Sequence, residues 1–155
     1  MVAAILVALS LALNSSPLKV INLEEYNSLI KRPGNDTLYI ANFWATWCKP
    51  CVAELPYFME AAEHFKNQKV RIIFVSLNSV KEMESVSTFL QVRKMKEDVY
   101  VLNAGKPNDW IDKIDSTWSG AIPATVMYCN NSKVLFYEGE FKQEQLDSTI
   151  QTKIR

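Results

Sequence analysis

With 155 residues, 48% of them apolar and four of them tryptophan, the chain has the length and composition of one globular domain and not of a disordered segment. Its 17 basic and 17 acidic side chains cancel, and it has neither a Lys/Arg run nor an acidic tail, which excludes the electrostatic footprint of a nucleic-acid binder. Three cysteines are too few for a disulfide-stapled scaffold; one pair plus a single cysteine suits a redox site better.

Val2 to Leu13 is apolar except for Ser10 and ends in Asn14-Ser15-Ser16-Pro17. A bilayer takes roughly 20 residues, so this run is short for a span. It has the length of the apolar core of a secretory signal, with Ser10-Leu11-Ala12 as a small-residue cleavage site. No Lys or Arg precedes it, as a signal normally requires, and no lipobox cysteine is present. Residues 1–16 are therefore read as a signal or anchor remnant, trimmed or mis-started, and residues 17–155 as the folded domain. An uncleaved anchor or a buried element of the fold are the alternatives.

Lys19 to Asn22 reads as a strand, and Leu23 to Lys31 as a helix with Asn22 as its cap and Glu24 and Glu25 in its first turn. Pro33-Gly34-Asn35-Asp36 is a turn, and Thr37 to Ala45 a strand covered on both faces. A helix from Lys49 to Lys66 carries Val52, Leu55, Phe58, Met59, Ala62 and Phe65 at helical spacing, with Pro56 as a kink. Val70 to Leu77 is a parallel strand, Ser79 to Met95 a helix, Val99 to Leu102 a strand and Asn108 to Ser116 a second helix. Ala124 to Cys129 and Lys133 to Tyr137 form a hairpin about Asn130-Asn131-Ser132, and Phe141 to Ile154 is the last helix.

Cys48-Lys49-Pro50-Cys51 lies where a strand ends and a helix begins. Unpaired N–H groups and the positive end of the helix dipole favour an anion there, so Cys48 is expected to be a reactive, low-pKa thiolate. Lys49 adds a positive charge nearby. Pro50 fits the first turn, where its missing N–H costs nothing. Cys51 stands one turn on, within reach of a small disulfide ring. The other chemistry open to the pair is half of a zinc site, which needs two more ligands; only Cys129 and His64 remain, far apart on a strand and a helix.

Phe43-Trp44-Ala45-Thr46-Trp47-Cys48 followed by Pro50-Cys51 resembles the thioredoxin superfamily, and Glu54-x-Pro56 resembles its TlpA/ResA-like branch of thiol–disulfide oxidoreductases. The resemblance implies an α/β, thioredoxin-like fold with a mixed central sheet flanked by helices. Residues 79–104 would be the helix-strand insertion of that branch. Thioredoxins place a buried Asp six residues before the first cysteine; here that position is Asn42, which takes no proton. Glu54, one turn beyond Cys51, is expected to do that work with a raised pKa. Ile122-Pro123-Ala124-Thr125 resembles the cis-proline loop, which implies that Pro123 lies against the dithiol and that the Ile122 main chain pairs with an extended partner.

The catalytic residues expected are Cys48, Cys51 and Glu54, and the substrate-binding ones Trp47, Lys49, Pro50, Ile122 and Pro123. Trp44 is expected in the core, Trp118 in either the core or the site, His64 at the surface or in packing, and Cys129 as a small buried apolar residue. The resemblance implies reduction of protein disulfides outside the cytoplasm by a monomer recharged by a membrane electron donor, with no metal and no cofactor beyond the two sulfurs. An oxidase or isomerase, or a non-catalytic binding module of the same fold, is the alternative. A peroxidase relative is disfavoured, because that branch uses a lone peroxidatic cysteine.

Overall fold

Every residue of the strand Leu38–Trp44 (β2) is buried in the computed structural model, which describes residues 18–154. The signal or anchor reading of residues 1–16 lies outside the described residues. Alternate side chains of β2 feed two separate apolar layers. Leu38, Ile40 and Trp44 join one, with Leu55, Phe58, Phe74, Phe141, Leu146 and Ile150; Tyr39, Ala41 and Phe43 join the other, with Tyr26, Ile30, Trp110 and Trp118.

The remaining elements are built around that strand. β1 (Lys19–Ile21) leads into α1 (Leu23–Ile30), and α2 (Lys49–His64) follows β2. Then come β3 (Val70–Ser76), α3 (Met83–Arg93), β4 (Asp98–Leu102) and α4 (Ile111–Ile114). The hairpin strands β5 (Ala124–Cys129) and β6 (Ser132–Glu138) and the helix α5 (Gln143–Lys153) complete the chain. The sheet has six strands in the order β1-β4-β3-β2-β5-β6. β1, β4, β3 and β2 are parallel to one another; β5 runs antiparallel to β2 and β6 to β5. Asn22 closes a capping box with Glu25 at the start of α1. Asn130 and Asn131 turn the hairpin with φ of 48° and 63°, a left-handed conformation that Asn tolerates better than other side chains.

Three expectations need correction. The helix expected over 108–116 is a 3-10 turn, Pro107–Asp109, followed by a single turn, Ile111–Ile114. Asp115 stops it: its carboxylate accepts from the N–H and hydroxyl of Thr117, a local bond that competes with helical pairing. The helix expected from Ser79 is likewise split into a 3-10 turn, capped by Ser79 and Glu82, and α3. Cys129 is half-buried rather than buried, because it is the last residue of β5, where the hairpin opens to solvent.

Candidate active site

The dithiol sits where β2 hands over to α2. Cys48 is the N-cap of α2, with Pro50 in the first turn, and its Sγ accepts the backbone N–H of Cys51 at 3.3 Å. A sulfur held against an unpaired helical N–H is where negative charge is stabilised. Cys48 and Cys51 are joined as a disulfide with their Cα atoms 5.3 Å apart. The two sulfurs differ in access: Cys51 is fully buried, Cys48 is 6% exposed, and Trp47 beside them is 63% exposed. Lys49 and Pro50 are exposed on the same turn. Trp44 is wholly buried, its ring 5.3 Å from that of Phe89.

The turn from β2 into α2 is fixed by a residue with no obvious sequence signal. Asn78, buried just beyond β3, accepts the Thr46 N–H at 3.0 Å and donates to Thr46 Oγ1 at 2.8 Å. Asn in a post-strand loop looks in sequence like any turn former, and only the parallel pairing of β2 with β3 brings it to Thr46.

Glu54, one turn past Cys51, is fully buried. Its Oε1 accepts Asn42 Nδ2–H at 2.7 Å and its Oε2 accepts the backbone N–H of Phe141 at 2.7 Å. Asn42 Nδ2 also lies 3.3 Å from Thr125 Oγ1, its register partner across β5. Burial pushes the carboxyl up, and the bonds from Phe141 and Asn42 pull back only part of the way, leaving Glu54 at about 7. A carboxyl that titrates near neutrality is suited to taking and returning a proton.

The opposite wall is the segment before β5. The Ile122–Pro123 peptide is cis, and the Ile122 carbonyl oxygen lies 3.6 Å from Cys48 Sγ. Pro123 is buried and Ile122 half-buried. Trp118 belongs to the core on the far side of the sheet, in contact with Phe43 at 4.9 Å between ring centroids. His64 is exposed at the end of α2, distant in sequence from the dithiol. Among the described residues no three His, Cys, Asp or Glu side chains are grouped so as to hold a metal ion.

A sequence model of the AhpC/TSA family matches residues 13–134. The chain belongs to the AhpC/TSA family. Within reach of this AhpC/TSA chain are curated proteins named thiol-disulfide oxidoreductase ResA. That of Bacillus cereus is 33% identical over 112 residues, which are 71% of this chain and 60% of that protein. That of Oceanobacillus iheyensis is 32% identical over 94 residues, 60% of this chain and 44% of that protein. The chain thus aligns with about half the length of these relatives. Among solved structures it is similar to a thiol:disulfide interchange protein of the thioredoxin family from Chlorobium tepidum, with a TM-score of 0.66 and 17% identity over 83% of this chain and 85% of that one. StoA from Bacillus subtilis is similar with a TM-score of 0.59 and 21% identity, over 75% of this chain and 84% of that one. At such identities the structures speak to the fold alone, and the fold is thioredoxin-like.

Proposed function

We propose that this chain is a thiol–disulfide oxidoreductase that reduces disulfides in protein partners outside the cytoplasm. The observation carrying the reading is the Cys48 sulfur at the head of α2, accepting the Cys51 N–H at 3.3 Å, with the burial-raised Glu54 one turn further on. The names of the ResA relatives support it. Cys48 thiolate attacks one sulfur of the partner disulfide, forming a mixed disulfide and expelling the first partner thiolate. Cys51 gives its proton to Glu54, attacks Cys48 Sγ, closes the Cys48–Cys51 bond and expels the second thiolate. Two electrons pass to the partner, the sulfurs carry them, and no organic cofactor or metal is needed. Trp47, Lys49, Pro50, Ile122 and Pro123 form the docking surface.

The direction rests on Glu54. A carboxylate near the pair disfavours accumulation of thiolate and so disfavours a strongly oxidising couple. The location rests on the apolar residues 2–13 and on the resemblance to the TlpA/ResA branch; a membrane donor of electrons follows from the same resemblance. No helix among the described residues is long and apolar enough to cross a membrane.

Equilibration of the Cys48–Cys51 pair against glutathione tests the direction. A potential near thioredoxin's, roughly −270 mV, is the expected result, and one near −120 mV makes the protein an oxidase. Reduction of insulin that persists in Cys48→Ser, or that is absent from the unsubstituted protein, overturns the assignment. Consumption of hydrogen peroxide by Cys48 alone would move it to a peroxidase.

A further inference from the structure

The segment that carries Ile122 to Cys48 lies outside the sheet, since β5 begins at Ala124, and Pro123 has no N–H to donate. Its two ends are tied. Trp118 donates its indole N–H to the Ala121 carbonyl at 2.8 Å, and Gly139 donates its N–H to the Pro123 carbonyl at 2.9 Å. Between these ties Ser119 is gripped by Glu138. The Ser119 N–H donates to Glu138 Oε2 at 2.8 Å and its hydroxyl donates to Oε1 at 2.7 Å. One carboxylate holding two donors of a single residue fixes orientation as well as distance. The grip extends one step further. A hydroxyl committed as donor to a carboxylate keeps its lone pairs for other partners, and Ser119 Oγ accepts the Ala121 N–H at 3.3 Å. Ala121 is the residue before Ile122, whose carbonyl stands 3.6 Å from Cys48 Sγ.

Glu138 is itself well placed for this. It is the last residue of β6, in register with Ala124 at the start of β5, so the sheet fixes its backbone beside the loop it holds. Among the described residues it makes no ion pair, and Ser119 is the residue its carboxylate bonds.

We propose that Glu138 is a positioning residue for disulfide exchange: its carboxylate holds residues 119–122 so that an extended segment of a disulfide-bonded polypeptide meets the Ile122 main chain in register beside Cys48. This rests on the exchange reading given above. Glu138 touches neither sulfur, so its loss weakens docking and leaves the sulfur chemistry alone. A small disulfide without a peptide backbone does not use the Ile122 main chain and is insensitive to the loss.

The test mixes the reduced full chain with excess oxidant in single turnover, once with a synthetic peptide bearing one intramolecular disulfide and once with bis(2-hydroxyethyl) disulfide, following tryptophan fluorescence. For the peptide, Glu138→Ala raises the half-saturating concentration about fivefold, the effect of two solvent-exposed hydrogen bonds, and the limiting rate stays within about twofold. The rate with bis(2-hydroxyethyl) disulfide also stays within about twofold. Glu138→Gln recovers most of the loss, and Ser119→Ala costs less when added to Glu138→Ala than it does alone, because the two share a contact and what remains is the Ala121 N–H bond to the Ser119 hydroxyl. An unchanged half-saturating concentration in Glu138→Ala, or equal slowing with both disulfides, overturns the proposal. Should Glu138→Ala fail to fold, Ser119→Ala and Glu138→Gln carry the same comparison, and an unchanged half-saturating concentration in Ser119→Ala is then the refuting result. If the unsubstituted protein reduces neither compound, the exchange reading fails and this inference with it.

Discussion

Replacing Glu54 by Gln should change how the stability of the oxidised protein depends on pH, by an amount that follows from the burial of one carboxyl. Glu54 moves from an ordinary 4.5 to about 7 in the fold. Below pH 4.5 the carboxyl is protonated both folded and unfolded, and it contributes no pH dependence. Between pH 4.5 and 7 the unfolded chain releases this proton while the folded one retains it, so stability falls as the pH rises. Above 7 both states are ionised and the loss is complete. At about 1.4 kcal/mol per pKa unit, the loss comes to about 3 kcal/mol. Nearby Glu140 raises the value and Lys142 lowers it, and both influences are already contained in the value of about 7. The Gln side chain is accommodated, because Asn42 can turn its amide to offer the Oδ1 that now has no donor. Urea denaturation of both oxidised proteins at intervals from pH 4 to 8 gives the measurement. The stability of the unsubstituted protein relative to Glu54→Gln should drop by about 3 kcal/mol across that window and level off beyond it. A difference that is flat with pH, or that grows as pH rises, would refute the view that burial governs Glu54.

Phe58 is fully buried between Phe74 and Phe141, with ring centroids 6.3 and 6.0 Å away, so Phe58→Ala should cost about 3–5 kcal/mol in chemical denaturation; a cost under about 1.5 kcal/mol would mean that α2 and α5 do not share this core. Gly139 has φ of 143°, and a Cβ there would fall 3.2 Å from the Tyr137 hydroxyl oxygen, so Gly139→Ala should destabilise by about 1–3 kcal/mol. An unchanged Tm would show that the junction of β6 with α5 relaxes freely. Trp47 is 63% exposed, so Trp47→Ala should leave stability within about 0.5 kcal/mol while weakening capture of a disulfide-bonded peptide about tenfold. Peptide binding that is unaffected, measured with Cys51→Ser to arrest the mixed disulfide, would remove Trp47 from the docking surface.

The parts of this architecture that are readable in the sequence are those written in local pattern. The apolar run ending in Trp44, the helical spacing after Cys48 and the Asn-Asn turn each rest on neighbours in the chain, and each element lies where that pattern puts it. Asn22 and Glu25 are legible for the same reason, since a capping box is closed within one turn. Readability ends where contacts span the fold. Glu54 is visible as a residue one turn after Cys51, but its second hydrogen bond comes from the main chain of Phe141, a donor that every residue type except proline carries. Asn78 holds Thr46 only because β2 and β3 pair in parallel, and Ser119 meets Glu138 only because β6 returns beside β5. The shortened α4 is a different failure. The apolar spacing through Ile114 is helical, yet Asp115 prefers a bond to Thr117 that periodicity does not register.

The unequal depth of the two sulfurs imposes an order on events. Under the exchange reading proposed above, a bulky partner would meet Cys48 first, and Cys51, wholly buried in the first turn of α2, would be left to release it. Traffic through the pair would then run from rim to interior, with adducts expected on Cys48 and not on Cys51.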